Sequence, residues 1–324
     1  MDVAAFCQQS RVLIVAGKGG VGKTTLCAAL GLTAARAGLS VLVIELEGKA
    51  GISVAYGEDG ALEYEDSVLL EETELHGQVR ARRITPDDAL LEYLADHGMK
   101  RFSRRLVSSG ALDVVATAIP GIRDILVLGK VKQLEISDPA DLILLDAPAT
   151  GHVMTFLSSA SGLLDAARSG PLRAQAVQVS ELLTDPDRCR VALVTLPEEM
   201  PVNEVVEAAY KLEDRVGVSL GPLIVNACLP EVDGLRAEAM DAASAAGTSV
   251  SAELAGALEA AAVFTRRRRD QQSQQLGRLA EELPLRQLRV PEVASEVIGP
   301  EELGAIAEAL RLGIEAMPSP AMSS

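Results

Sequence analysis

The residues best suited to chemistry lie together near the start of the chain, in the run RVLIVAGKGGVGKTT from Arg11 to Thr25. Residues 17–24 fit the pattern GxxxxGK(S/T), in which backbone N–H groups and the start of a helix hold phosphate oxygens. In this pattern Lys23 pairs with the β- and γ-phosphates, and the Thr24 hydroxyl is a ligand of Mg²⁺. The spacing predicts a nucleotide site with Mg²⁺; the alternative is a glycine-rich turn that binds no ligand. The predicted nucleotide contacts are Gly17, Gly19, Gly20, Val21, Gly22, Lys23, Thr24 and Thr25.

The segments on either side of this loop fit the strand and the helix that must position it. VLIVA before the loop is an apolar run typical of a buried strand, and LCAALGLTAARAG after it has a helical pattern that ends at Gly38. A second apolar run, Val41–Glu45, completes a strand–helix–strand unit. Because ligands bind beyond the C-terminal ends of such parallel strands, Glu45 and Glu47 are the first acidic candidates for the chemistry.

A further acidic candidate lies in the stretch DLILLDAPATGH. Leu142–Leu145 is a continuous apolar strand, and Asp146 stands at its end, where P-loop enzymes place a carboxylate that holds Mg²⁺ or its water shell. The alternative is an ordinary loop carboxylate. We predict that Thr24 and Asp146 form the Mg²⁺ site.

Composition excludes several classes of function. The formal net charge of −16 makes non-specific DNA binding unfavourable, because such binding depends on Lys and Arg. The exception is the basic run Arg266–Arg269, which fits a solvated helix face or a contact with a partner or anionic lipid. The chain contains no apolar run long enough to span a membrane, and its first residues do not resemble a signal peptide, so we expect a cytoplasmic protein. Reduced thiols without a metal role are expected for Cys7, Cys27, Cys189 and Cys228.

These patterns predict an α/β fold with a doubly wound, mostly parallel sheet of the P-loop NTPase type. We expect one domain over residues 1–324, with helical insertions at about 80–135 and 233–282. The acidic stretch Val54–Val79 is expected to run irregularly over the surface. Residues 1–10 and 316–324 are expected to be flexible tails.

The order of the motifs resembles a known family. KGGVGKTT, an acidic-ended second strand, PGIRDILVLGKVKQ and LLDAPATGH are similar to the arsenical-pump and tail-anchored-protein-targeting ATPases, an anion-transporting branch of the deviant Walker A ATPases. The similarity continues through VALVTLPEEMPVNEVVEAA, PLIVNACLPE and LRVPEVASEVIG, so it covers roughly residues 10–312. ELEG and PGIRD look most like the actinobacterial anion-transporting-ATPase-like proteins, which occur as two paralogues. The resemblance implies a cytoplasmic, Mg²⁺-dependent ATPase that acts as an ATP-driven dimeric switch.

The resemblance also implies roles for individual residues. Lys18 would reach across a dimer interface to the partner's ATP, although on its own it also fits a solvated loop charge. Asn226 would contact adenine, and Pro291 and Val293 would border the base. The Asn226 amide can pair with the N6 and N7 edge of adenine, but asparagine at a strand end is also a common turn former.

One departure from the family concerns catalysis. The family has an aspartate that positions the attacking water, and Glu47 occupies that position here. Because in-line attack is sensitive to displacements of about 1 Å, a side chain one methylene longer predicts slow or partner-dependent hydrolysis. The expected catalytic set is Lys18, Lys23, Glu47 and Asp146.

The expected partners follow from the same resemblance. They are ATP, a second copy or a paralogous ATPase, and possibly a protein client bound by the helical insertion, with no specific nucleic acid and no integral membrane segment. Two alternatives stay open: a hydrolysis-impaired, nucleotide-binding regulatory subunit of a heterodimer, and a partitioning-type ATPase.

Overall fold

The computed structural model describes residues 1–46, 51–72, 74–96, 98, 121–166 and 168–318. The strands are β1 Val12–Gly17, β2 Ser40–Leu46, β3 Ser67–Glu71, β4 Gln78–Ile84, β5 Leu142–Ala149, β6 Cys189–Thr195, β7 Ser219–Leu220, β8 Leu223–Cys228 and β9 Gln287–Pro291. The helices are α1 Val3–Cys7, α2 Lys23–Arg36, α3 Ile52–Ala55, α4 Pro86–Asp96, α5 Ile122–Ser137, α6 Thr150–Ala166, α7 Pro171–Thr184, α8 Glu199–Val216, α9 Ala239–Ala245, α10 Ala252–Glu282 and α11 Pro300–Glu315.

The described strands form one sheet in the order β3-β4-β2-β5-β1-β6-β8-β9, with β7 paired to β6. Strand β1 lies near the centre, between β5 and β6, and is parallel to both. Only β3, at one edge, runs antiparallel to its neighbour within this described sheet. The predicted α/β fold with a mostly parallel sheet is therefore confirmed.

Helices cover both faces of the sheet, which explains the uninterrupted apolar runs in the central strands. Val12, Ile14 and Ala16 of β1 join the core beneath α4 to α8, whereas Leu13 and Val15 join the core beneath α1, α2, α3 and α11. Every other residue of a strand therefore contacts the α2 side of the sheet. This alternation decides which polar side chains reach the loop that precedes α2.

Part of residues 1–10, which the sequence predicts to be a flexible tail, forms helix α1 in the structure. Asp2 caps helix α1 by accepting a hydrogen bond from the backbone N–H of Ala5 at 2.9 Å. Val3, Phe6 and Cys7 are buried in the core on the α2 side. The Met1 amino group donates to the carbonyl oxygens of Glu315 and Met317 at 3.0 and 2.7 Å. Met1 is therefore hydrogen-bonded to the C-terminal end of helix α11 and to Met317 just after it. Residues 319–324 lie outside the described part.

The helices of the first insertion begin later than about residue 80, because residues 78–84 form strand β4 inside the sheet. The segment QVRARRI does not have the apolar run typical of a buried strand, because three of its seven residues are arginines. Arg80 forms ion pairs with Asp66 and Asp138, both at 2.5 Å, and Arg82 pairs with Asp66 at 3.1 Å. Val79 and Ala81 supply the buried side of the strand. Residues 67–71, expected to be irregular, form the edge strand β3 beside it.

Helices α4 and α5 lie within the first expected insertion, and α9 and α10 lie within the second. Residues 99–120 of the first insertion are outside the described part of the chain. None of the helices that the structure describes has the length and apolar character needed to cross a bilayer.

Candidate nucleotide site

The glycine-rich loop joins the C-terminal end of β1 to the first turn of α2. Gly17 ends β1, where a Cβ atom would lie 2.3 Å from the carbonyl oxygen of Val194 in the neighbouring strand. Gly22 has a φ of +91°, and a Cβ there would lie 2.4 Å from Nδ2 of Asn226. Only glycine fits either position without displacing its neighbours. The loop is therefore shaped by close backbone packing, and Gly19 and Gly20 are left exposed at its tip.

The two lysines of the loop make different contacts. Lys23 is the first residue of α2 and is only 7% exposed, and its Nζ donates a hydrogen bond to the carbonyl oxygen of Lys18 at 2.9 Å. Lys18 points the other way, and its Nζ donates to Oε1 of Glu204 in α8 at 2.5 Å. Lys23 thus faces the space enclosed by the loop, while Lys18 faces the neighbouring helix.

Thr24 and Asp146 meet at the start of α2. The Thr24 hydroxyl donates to Oδ2 of Asp146 at 2.6 Å, and Asp146 is fully buried. The paired strands continue past Asp146 to Ala149, so this carboxylate lies within β5 rather than just beyond its end. A hydroxyl and a carboxylate oxygen held together in this way are the hard oxygen ligands that suit Mg²⁺, so these residues fit the ion that the loop predicts.

A second buried carboxylate lies beside this pair. Glu45, in β2, is fully buried and is opposite Asp146 in the register of the parallel strands. Its Oε1 accepts a hydrogen bond from the backbone N–H of Gly51 at 3.0 Å. Its Oε2 is buried and has no hydrogen-bond partner within the described residues. The candidate Glu47 is outside the described residues, and its catalytic role stays a prediction.

The predicted adenine contacts lie at the ends of neighbouring strands β8 and β9. The Asn226 amide donates through Nδ2 to the carbonyl oxygen of Val21 at 2.9 Å, so it supports the loop directly. Pro291 is opposite Cys228 in the strand register, and Val293 follows it, partly buried. These residues are placed on the same edge of the sheet as the loop. Their contact with adenine stays a prediction. Thr25, the last of the predicted loop contacts, lies in the first turn of α2.

Burial favours the protonated thiol at Cys7, Cys189 and Cys228. It raises the pKa of Cys7 and of Cys189 to about 12 and raises the pKa of Cys228 as well. A protonated thiol is a poor metal ligand, because metals bind the thiolate. Within the described residues, no group of three or more His, Cys, Asp or Glu side chains is arranged to hold a metal ion.

Sequence reasoning missed Glu204 as the partner of Lys18. The two residues are 186 positions apart, and Glu204 is one of many glutamates on exposed helix faces. Its only sequence signal is its place in α8, which follows β6, the strand beside β1. The role of Gly51 was missed for a similar reason, since it depends on contacts with both Glu45 and Thr24.

The chain matches a family described as anion-transporting ATPase over residues 10–168 and 171–253. ATPase BagA from Mycobacterium tuberculosis is 36% identical over 250 residues, which cover 75% of this chain and 71% of that relative. ATPase get3 from Schizosaccharomyces japonicus is 30% identical over 146 residues, 45% of this chain and 43% of the relative. An arsenical pump-driving ATPase from Escherichia coli is 26% identical over 224 residues, 68% of this chain and 35% of the relative. The motifs, the parallel sheet and these matches agree, and the chain belongs to the anion-transporting ATPase family.

Proposed function

We propose that this ATPase is Mg²⁺-dependent and acts as an ATP-driven dimeric switch. The observation that carries the proposal is the arrangement at the start of α2, where Lys23 faces the loop and Thr24 is bonded to the buried Asp146. Lys23 and Thr24 of the first turn of α2 and Asp146 of β5 thus bring together a cation for phosphate and a pair of hard oxygen ligands. This is the set of groups that phosphoryl transfer to water requires.

Binding of ATP would rearrange contacts that the loop already makes. Lys23 would exchange the carbonyl oxygen of Lys18 for the β- and γ-phosphate oxygens, which are stronger acceptors because they are charged. The backbone N–H groups from Gly19 to Gly22 and the start of α2 would hold the remaining phosphate oxygens. Thr24 and Asp146 would hold Mg²⁺, which would neutralise part of the phosphate charge. Catalysis in this arrangement comes mainly from positioning and electrostatics.

Glu47 is the proposed residue that orients the attacking water. The Glu47→Gln variant keeps the side-chain length and removes the charge, so we expect single-turnover ATP hydrolysis to slow by at least about tenfold, because acid–base and water-positioning groups contribute this much or more. Nucleotide affinity should change little. The measurement is the rate of phosphate release from a stoichiometric ATP complex, with and without the paralogous ATPase.

The matched control is Glu58→Gln, an exposed glutamate that also follows β2. Equal rates for Glu47→Gln and the wild type, both alone and with the paralogue, would remove Glu47 from the mechanism. A wild type that binds ATP but does not hydrolyse it in either setting would instead favour a nucleotide-binding regulatory subunit.

The proposed interface rests on Lys18. In this structure its ion pair with Glu204 leaves 39% and 35% of the two side chains exposed. Exposed ion pairs contribute only about 0.2–1 kcal/mol, so a partner's phosphate can readily replace Glu204. A cavity of about 520 Å³ adjoins the pair and is lined also by Met154, Lys211 and Arg215. Lys18 is therefore positioned at an open surface beside the loop, as a contact to a second subunit requires.

Removal of the Glu204 charge should favour the dimer. Because Lys18 no longer has to leave an ion pair, we expect Glu204→Gln to tighten ATP-analogue-dependent dimerisation about two- to fivefold, which corresponds to the strength of an exposed pair. The measurement is the dimer dissociation constant from sedimentation velocity. Glu207→Gln is the control, because Glu207 lies on the same helix and pairs with Lys211 instead. A dimer weakened by Glu204→Gln, or equally changed by both variants, would contradict this role.

The proposed switch acts on the helices beside the site. Helix α6 begins at Thr150, directly after the strand that contains Asp146, and it packs against α5 and α7. A shift of the end of β5 on hydrolysis would therefore move α6 and the helices that a protein client contacts. Hydrogen exchange within α5 and α6 should differ between the complex with a non-hydrolysable ATP analogue and the complex with ADP. Identical exchange in the two complexes would argue against a role for these helices in the switch.

A further inference from the structure

Glu45 is a buried carboxylate that the proposed mechanism does not use. It is fully excluded from solvent, and only one of its two oxygens accepts a hydrogen bond. Oε1 accepts the backbone N–H of Gly51 at 3.0 Å, whereas Oε2 has no hydrogen-bond partner in the described chain. A buried ionised oxygen without a partner is unfavourable, because it has lost its water and gained nothing in exchange. A ligand that is bound during the working cycle would remove this cost.

The strand register shows where the Glu45 carboxylate lies. Glu45 is opposite Asp146, and two positions earlier Val43 is opposite Leu144, with both of these side chains in the core on the α2 side. Because side chains alternate along a strand, Glu45 and Asp146 also lie on the α2 side. Both carboxylates are therefore on the face of the sheet where α2 begins.

Gly51 links Glu45 to the metal-binding threonine. A Cβ atom on Gly51 would lie 2.7 Å from Cγ2 of Thr24, so the backbone N–H that Glu45 holds belongs to a residue in contact with Thr24. Thr24 in turn donates to Asp146. On its other side Glu45 is opposite Arg83, which donates no hydrogen bond to Oε2. The Glu45 carboxylate thus lies beside Gly51, which contacts Thr24, and in register with Asp146 on the neighbouring strand.

The geometry points to Glu45 as a positioning residue for Mg²⁺, an inference that rests on the proposed function. Mg²⁺ in nucleotide sites usually keeps several of its water ligands, and those waters need hydrogen-bond acceptors. Oε2 of Glu45 would accept a hydrogen bond from such a water, while Oε1 holds the backbone N–H of Gly51, which contacts Thr24. Glu45 would then contribute to metal affinity through water, in addition to Thr24 and Asp146, the residues proposed to hold the ion. It would also connect metal binding to Gly51, the residue directly before α3.

The test uses Glu45→Gln, in which the amide oxygen can still accept the Gly51 N–H and the charge is gone. Two quantities are measured on the full chain. One is the affinity of the ADP complex for Mn²⁺, followed by electron paramagnetic resonance as a probe of the Mg²⁺ site. The other is the thermal unfolding midpoint in EDTA. Glu58→Gln, an exposed charge removal in the segment after β2, is the control.

We expect Glu45→Gln to weaken Mn²⁺ binding about tenfold and to leave the midpoint in EDTA unchanged or higher, because it removes the charge from a carboxylate whose buried Oε2 has no hydrogen-bond partner in the described chain. Unchanged Mn²⁺ affinity would overturn the inference. So would a lower midpoint in EDTA with the same metal affinity, since that result would assign Glu45 a purely structural role. Glu45→Asp, which keeps the charge but is shorter, should retain part of the affinity that Glu45→Gln loses; affinities as low as that of Glu45→Gln would contradict a role for the charge.

The wild type separates this inference from the proposed function. If the wild-type chain with ADP binds no Mn²⁺, the proposed Mg²⁺ dependence fails. If it binds Mn²⁺ and Glu45→Gln binds equally well, only the role of Glu45 fails.

Discussion

The Lys23→Ala variant is expected to remain folded and to bind ATP at least about 100-fold more weakly than the wild type. The Lys23 ammonium group is the cation that faces the interior of the loop, and each hydrogen bond to a charged group contributes about 1.5–3 kcal/mol. Loss of contacts to two phosphates therefore lowers the affinity by two or more powers of ten. Titration calorimetry with a non-hydrolysable ATP analogue and Mg²⁺ measures this difference.

Lys211→Ala is the control for that experiment. Lys211 lies on α8 and lines the cavity beside the loop, but it pairs with Glu207 and makes no described contact with the loop. Its removal tests the general effect of one fewer positive charge near the site. Equal affinities of Lys23→Ala and the wild type would show that ATP does not bind in this loop.

The second large effect is expected for Asp146→Asn. The amide keeps the size of the side chain and an oxygen that accepts the Thr24 hydroxyl, but it removes the negative charge. We expect Mg²⁺-dependent ATP hydrolysis to fall at least about 100-fold, because electrostatic groups at the transferred phosphate contribute this much. Nucleotide binding in EDTA should be retained. The measurements are steady-state phosphate release and nucleotide titration with and without Mg²⁺.

Asp141→Asn provides a control close to the opposite end of the same strand. The Asp141 carboxylate accepts the backbone N–H of Ser40 at 2.8 Å, away from the loop. Asp146→Asn and Asp141→Asn each remove one carboxylate charge, in β5 or directly before it. A difference between their rates of hydrolysis therefore reflects the role of Asp146 at the site. Retention of full Mg²⁺-dependent hydrolysis by Asp146→Asn would exclude this residue from the metal site.

The loop and its flanking elements were predictable because their causes are local. A buried strand, glycines that allow close backbone approach and a lysine at the first helical position are all encoded within 15 residues, from Arg11 to Thr25. The place of Asp146 followed from a rule about parallel sheets, since polar residues near the C-terminal ends of neighbouring strands meet at one edge. The mostly parallel sheet followed from the same apolar runs.

Contacts between distant segments were not predictable in this way. The pair of Lys18 and Glu204 depends on how α8 packs beside the loop, and no periodic pattern encodes that distance. Strand β4 was missed because it contains three arginines, and the ion pairs of Arg80 and Arg82 with Asp66 and Asp138 are not visible in the sequence. Helix α1 was missed because a five-residue segment has little intrinsic helical stability and depends on packing.

Sedimentation velocity of the wild-type chain with Mg²⁺ and a non-hydrolysable ATP analogue tests the proposed switch most directly. We expect the 34.0 kDa chain to form a dimer when the analogue is bound, alone or with the paralogous ATPase proposed as a partner, and ADP to favour the separate subunits. Lys18→Ala should bind the analogue but remain monomeric. A wild-type chain that stays monomeric with the analogue bound, both alone and in the presence of a paralogous ATPase, would contradict the dimeric switch.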